Sequence, residues 1–141
     1  MKYKNILFVD DDADDLLLFS EALNDIEAQI SFETASDGIT ALKKLTTSAS
    51  VPELIFLDLN MPMMHGFECL KKIKADKKLQ GTPVIIFTTS SSPLDINMAK
   101  HLGAAAYFCK PMHFNHLCDH LKMILMGELE LNSGFKIINS K

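Results

Sequence analysis

The chain lacks the features that mark secreted and membrane proteins. Three cysteines occur among 141 residues, an odd count that argues against a disulfide framework. The first residues show no signal-peptide core, and no apolar stretch approaches the roughly 20 residues of a membrane-spanning helix. We therefore expect a cytoplasmic protein with reduced thiols and no membrane association.

Clusters of basic residues are also missing. The net charge is −4, and no group of lysines resembles a patch that would follow a phosphate backbone, so nucleic-acid binding is not expected. The composition, 48% hydrophobic and 23% charged, is that of an ordinary globular protein. The length suits one domain, which we place at residues 1–127. Residues 128–141 form a C-terminal tail whose structure the pattern does not predict.

Short apolar runs alternate with segments of helical periodicity along this domain. We predict strands at residues 5–9, 30–34, 54–57, 84–87 and 104–109, with a helix after each of them. This alternation predicts an α/β fold, in which a five-stranded parallel sheet carries helices on both faces. In such sheets, ligands bind beyond the carboxyl ends of the strands.

Chemically useful side chains follow four of these runs, at the point where each strand ends. Asp10 and Asp11 follow the first run, Asp58 the third, Thr88 the fourth and Lys110 the fifth. Carboxylates at the ends of neighbouring parallel strands converge, and such a cluster is costly unless a cation occupies it. Because oxygen ligands suit a hard divalent metal, the sequence predicts a metal site at this edge of the sheet.

The order of these residues resembles that of receiver domains of two-component response regulators, over roughly residues 4–126. The matching motifs are F-V-D-D-D at 8–12, L-D-L-N-M-P at 57–62, F-T-T-S at 87–90 and K-P at 110–111. Asp14, Asp15 and the T-T-S run are most similar to stand-alone receivers paired with phytochrome-type kinases. The resemblance implies a doubly wound, flavodoxin-like sheet in strand order 2-1-3-4-5, with five helices.

The resemblance also implies a phosphoacceptor and a metal. Asp58 would accept a phosphoryl group from a sensor histidine kinase or a histidine phosphotransfer protein. Asp11, Asp58 and the backbone carbonyl of Asn60 would bind Mg²⁺ directly, and Asp10 would act mainly through water. The protein would then be a signalling phosphoacceptor rather than an enzyme, catalysing at most its own phosphorylation and dephosphorylation.

A conformational switch is the third implication of the resemblance. Lys110 and Thr88 would each meet a phosphoryl oxygen, and Tyr107 would be the aromatic residue whose rotamer follows Thr88. The responding surface would be formed by the fourth helix, the fifth strand and the last helix. The same surface would serve a possible homodimer.

Two other interpretations are weighed against this one. Asp10 and Asp12 resemble the Asp-x-Asp of haloacid-dehalogenase-type phosphohydrolases, but Asp14 stands where Thr or Val is expected, and no later acidic pair follows. That interpretation also leaves Asp58 without a role. A degenerate receiver that binds partners without phosphorylation is the second alternative, although every site position is intact.

Overall fold

The structure is a computed structural model that describes residues 1–26 and 29–139. Strands and helices alternate from the first strand to the fifth helix, and a short strand follows. The strands are β1 (Asn5–Val9), β2 (Ser31–Ala35), β3 (Leu54–Leu57), β4 (Val84–Thr88), β5 (Ala106–Cys109) and β6 (Lys136–Ile138). The helices are α1 (Ala13–Asn24), α2 (Gly38–Thr47), α3 (Gly66–Ala75), α4 (Pro93–His101) and α5 (Phe114–Leu125).

The sheet is parallel throughout, in the order β2-β1-β3-β4-β5-β6. The predicted α/β class, the flavodoxin-like order of the first five strands and the five helices are therefore confirmed. The predicted number of five strands is wrong, because β6 pairs with β5 in register from Ala106 with Lys136 to Phe108 with Ile138. The apolar part of β6 is the pair Ile137 and Ile138, of which only Ile138 is buried, and two residues are too short a run for the sequence pattern to predict a strand.

Two apolar layers pack against the two faces of the sheet. One layer joins α1 and α5 to side chains such as Phe8 and Phe56, and Phe19 of α1 stacks on Phe8 at a ring-centroid distance of 4.2 Å. The other layer joins α2, α3 and α4 to side chains such as Val9 and Leu57. Neighbouring residues of β1 and β3 therefore point to opposite faces, and both central strands are buried on both sides, as expected for a parallel sheet.

Local signals fix where several helices begin and end. Asp12 caps α1 by accepting hydrogen bonds from the backbone N–H groups of Asp14 and Asp15. Pro93 stands at the first turn of α4, where its missing N–H costs nothing.

The three cysteines are free. Within the described parts of the chain, no helix is both long and apolar enough to cross a membrane.

Candidate phosphoacceptor site

Three carboxylates converge at the carboxyl edge of the sheet. Asp10 follows β1 and Asp58 follows β3, and these two strands are neighbours in the sheet. The backbone N–H of Asp58 donates to the carbonyl of Val9 at 2.9 Å, which continues the ladder of hydrogen bonds between the two strands as far as Asp58. Oxygen atoms of Asp10, Asp11 and Asp58 all lie within 4.8 Å of one another. Asp10 and Asp58 are buried, and Asp11 is exposed at the rim.

Burial makes the negative charge of this cluster costly. It raises the pKa of Asp10 to about 6, against the hydrogen bonds from Lys110 and from the backbone N–H of Asp12. Burial also raises the pKa of Asp58, and the positive charge of Lys110 offsets this only in part. A set of oxygen ligands whose negative charge is only partly compensated fits a hard divalent cation such as Mg²⁺.

Lys110 is the cation that the chain itself brings to the cluster. Its Nζ lies 2.7 Å from Oδ2 of Asp10, 2.7 Å from Oδ2 of Asp15 and 3.7 Å from Oδ2 of Asp58. Burial alone would lower the pKa of Lys110, but hydrogen bonds to Asp10 and Asp15 raise it above its ordinary value. Lys110 is therefore a permanent positive charge, which in this structure lies closer to Asp10 and Asp15 than to the predicted acceptor.

The loop after β3 holds Asp58, the predicted acceptor, in place. Oδ1 of Asp58 accepts a hydrogen bond from the backbone N–H of Leu59 at 2.9 Å. At the start of α3, the N–H of Gly66 donates to the carbonyl of Leu59 at 2.8 Å. A Cβ atom on Gly66 would overlap the backbone carbonyl oxygen of Asp58, so this close approach requires glycine. The first turn of α3 is thereby fixed against the backbone of Asp58.

The predicted switch residues meet through a third residue. Thr88 is buried at the end of β4, and its Oγ1 accepts from the backbone N–H of Ser90 at 3.4 Å. Tyr107 is buried in β5, and its hydroxyl donates to the carbonyl of Ser90 at 2.9 Å. The Ser90 hydroxyl donates to Asp95 in the first turn of α4 at 2.6 Å. Ser90 therefore connects Thr88, Tyr107 and α4.

The structure brings most of the predicted site residues together. Asp10, Asp11, Asp58 and Lys110 meet at one point, and Asn60 is exposed in the loop that follows Asp58. Sequence reasoning missed the contact of Asp15 with Lys110 and the connecting role of Ser90. Ser90 ends the quoted F-T-T-S motif and Asp15 follows the acidic run at 10–12, but nothing in the spacing of these residues indicates the two contacts.

Comparison with known proteins identifies the family. The model of the response regulator receiver domain matches residues 6–122. The chain belongs to this family. The match covers most of the chain and includes every predicted site residue, from Asp10 to Lys110. It leaves the haloacid-dehalogenase interpretation without support.

Individual receivers show the same relationship. Sporulation initiation phosphotransferase F of Bacillus subtilis (strain 168) is 34% identical over 127 residues, which are 89% of this chain and 96% of that protein. Two other curated relatives are longer, and the chain spans 53% and 49% of their lengths.

Solved structures place the receiver near the phytochrome-associated group. The phosphorylated cyanobacterial phytochrome response regulator RcpA has a TM-score of 0.83 at 31% identity, covering 93% of this chain and 99% of RcpA. The Mn²⁺-bound form of response regulator Rcp1 has a TM-score of 0.78 at 29% identity, covering 92% of this chain and 96% of Rcp1. These neighbours fit the predicted subgroup.

Proposed function

We propose that this receiver acts as a stand-alone response regulator in the cytoplasm, with residues 1–127 carrying the phosphoacceptor function. Asp58 takes a phosphoryl group from the phosphohistidine of a sensor kinase or of a phosphotransfer protein. The observation that carries the proposal is the convergence of three carboxylates and one lysine at the carboxyl edge of the sheet. That arrangement positions a nucleophile and neutralises charge, which is most of what phosphoryl transfer requires.

Asp58 is the nucleophile in this proposal. The backbone N–H of Leu59 holds Oδ1 and leaves Oδ2, on the side of Lys110, free to attack phosphorus. A bond forms between this oxygen and phosphorus, the bond from phosphorus to the imidazole nitrogen breaks, and the histidine of the partner leaves. Lys110 then meets one phosphoryl oxygen, and the Thr88 hydroxyl donates to another.

Asp11, Asp58 and the carbonyl of Asn60 would hold the magnesium ion, with Asp10 acting through water. When bound, the ion supplies positive charge to the phosphoryl oxygens. The raised pKa values of Asp10 and Asp58 support this assignment, because they mark a site where an added cation relieves a cost. The protein's own catalysis is limited to its phosphorylation and dephosphorylation.

The responding surface is formed by α4, β5 and α5 in this proposal. Thr88, drawn toward the phosphoryl group, would pull on the N–H of Ser90 and so disturb the hydrogen bond of Tyr107 to the Ser90 carbonyl. Partners of this surface, including a second copy of the chain, would also meet β6, because β6 lies along the outer side of β5. We propose no nucleic-acid partner.

The proposal is tested at the acceptor itself. Asp58→Asn keeps the shape of the side chain and removes the nucleophile, so we expect it to abolish hydroxylamine-labile phosphate after incubation with a small acyl-phosphate donor and Mg²⁺. Asp119→Asn, a change at an exposed acid of α5, is the matched control and should label like the wild type. Wild-type levels of label on Asp58→Asn would refute the assignment.

A further inference from the structure

Asp15 reaches the lysine of the phosphoacceptor site from outside the acidic cluster. It lies in the first turn of α1, where the cap formed by Asp12 accepts from the N–H groups of Asp14 and Asp15 at 2.9 and 3.3 Å. This cap fixes the backbone of the first turn, and the carboxylate of Asp15 lies at the carboxyl edge of the sheet, beside Lys110. Its Oδ2 lies 2.7 Å from Nζ of Lys110, as close as Oδ2 of Asp10.

The two carboxylates that share Lys110 are held very differently. Asp10 is fully buried, and its Oδ1 has a second partner, the N–H of Asp12, at 2.9 Å. The side chain of Asp15 is 28% exposed, and within the described chain Lys110 is the one hydrogen-bond partner of its carboxylate. Because water can replace Lys110 at Asp15 but not at Asp10, the contact with Asp15 is the one that breaks more easily.

We propose that Asp15 is a positioning residue that retains Lys110 in a resting place and releases it when Asp58 carries a phosphoryl group. This inference rests on the proposed phosphoacceptor function. The ammonium group of Lys110 lies 3.7 Å from Oδ2 of Asp58, too far for a hydrogen bond, while Asp10 and Asp15 hold it. A phosphoryl group on Asp58 therefore competes with Asp15 for the same cation, and Asp15 weakens the phosphorylated state.

Binding of beryllofluoride, a mimic of the phosphoryl group, measures this competition at equilibrium. Asp15→Asn keeps the size of the side chain and removes its charge, so we expect its dissociation constant for beryllofluoride to fall about twofold to fivefold, the worth of a part-exposed ion pair. Asp15→Glu retains the charge and should bind like the wild type. The constants are obtained by NMR titration of backbone amides at one fixed Mg²⁺ concentration.

A neighbouring acid provides the matched control. Asp14→Asn removes the same charge from the same helical turn, but Asp14 is exposed and makes no contact with Lys110, so its dissociation constant should equal that of the wild type. In a Lys110→Ala background, Asp15→Asn should no longer tighten binding, because the two residues act through one contact. A side chain that only supports the fold would not show this dependence on Lys110.

The possible failures are distinguishable. A wild-type protein that binds no beryllofluoride and accepts no phosphoryl group would overturn the proposed function, and the role of Asp15 with it. A wild-type protein that binds the mimic, but whose affinity Asp15→Asn leaves unchanged, would overturn the role of Asp15 alone. Equal tightening by Asp14→Asn, or tightening that persists without Lys110, would likewise show that general charge rather than the contact is responsible.

Discussion

Asp10 carries a buried charge whose cost depends on pH. Its pKa is raised from 3.8 to about 6, chiefly by burial, so the folded protein binds this proton more tightly than the unfolded chain does. The stabilisation from protonated Asp10 is fully present below about pH 4 and is lost as the pH rises through about 6. In buffer containing a chelator, we expect the unfolding free energy to include a component that falls across this window. Urea unfolding at a series of pH values measures it.

Asp10→Asn should remove that component and make the fall of the unfolding free energy between about pH 4 and pH 7 shallower. The part of the fall that remains belongs to Asp58, whose pKa burial also raises. Asp119→Asn, at an exposed position, should keep the wild-type slope. An undiminished slope in Asp10→Asn would show that the proton is bound elsewhere.

Met63 has a strained backbone conformation in the loop between β3 and α3. Its φ is 68°, in the left-handed region, and its side chain is 76% exposed, so little packing compensates for the conformation. Met63→Gly relieves the clash of Cβ with the backbone and should raise the unfolding free energy by about 1 kcal/mol. Met63→Ala keeps the Cβ atom and should give no such gain in urea unfolding. Greater stability of the alanine variant would argue against strain at this position.

At the level of residues, the predictable part of the site is the part that parallel strands carry. Asp10, Asp58 and Lys110 follow strands directly, so the direction of each strand places them at one edge. The contact of Asp15 with Lys110 depends on the capped first turn of α1 and on the side-chain rotamer of Asp15. The contacts of Ser90 depend on the path of the loop after β4. The rotamer and the loop path depend on packing that a single sequence does not specify. For this reason, the pattern of strands did not predict either contact.

Among the elements, the loop from β4 to α4 connects Thr88 to the proposed responding surface of α4, β5 and α5. Thr88 and Tyr107 both hydrogen-bond to the backbone of Ser90, and the hydroxyl of Ser90 binds Asp95 of α4. We therefore expect beryllofluoride to change amide hydrogen exchange over residues 89–126 in the wild type. Thr88→Ala lacks the hydroxyl and should still accept phosphate, less efficiently, while showing a much smaller exchange response.

The neighbouring residue supplies the control for this experiment. Thr89 is exposed, and Thr89→Ala should leave the exchange response at its wild-type extent. Changes confined to the Asp58 loop in the wild type would mean that α4, β5 and α5 do not form the responding surface.

For the molecule as a whole, we expect binding of the proposed magnesium ion to be linked to folding. A ligand that binds only the folded state adds about 2.7 kcal/mol of stability at a hundredfold excess over its dissociation constant. The thermal midpoint should therefore rise with Mg²⁺, and Asp11→Ala should remove most of that rise because Asp11 is a proposed direct ligand. Asp14→Ala changes an exposed acid outside the cluster and should retain the rise. An equal response in Asp11→Ala would exclude direct ligation by Asp11.

The α/β class was predictable from the pattern of strands and helices, and the order of the first five strands from the resemblance to receiver domains. Five apolar runs with helices between them leave few arrangements other than a doubly wound parallel sheet. β6 escaped because a three-residue strand with one buried side chain has no periodicity, and because its place beside β5 depends on the route of the chain after α5. Local sequence patterns do not show that a short segment returns from a distant part of the chain to pair with a strand.

The position of β6 has a consequence for how copies of this protein meet at high concentration. β5 is apolar, with Ala106, Tyr107 and Phe108 all fully buried, and an uncovered strand of this kind is a template for intermolecular pairing and aggregation. β6, which forms the edge of the sheet instead of β5, is only three residues long and begins with Lys136. A short edge strand and a lysine both disfavour pairing between the sheets of two molecules. We therefore expect β6 to reduce aggregation of the protein.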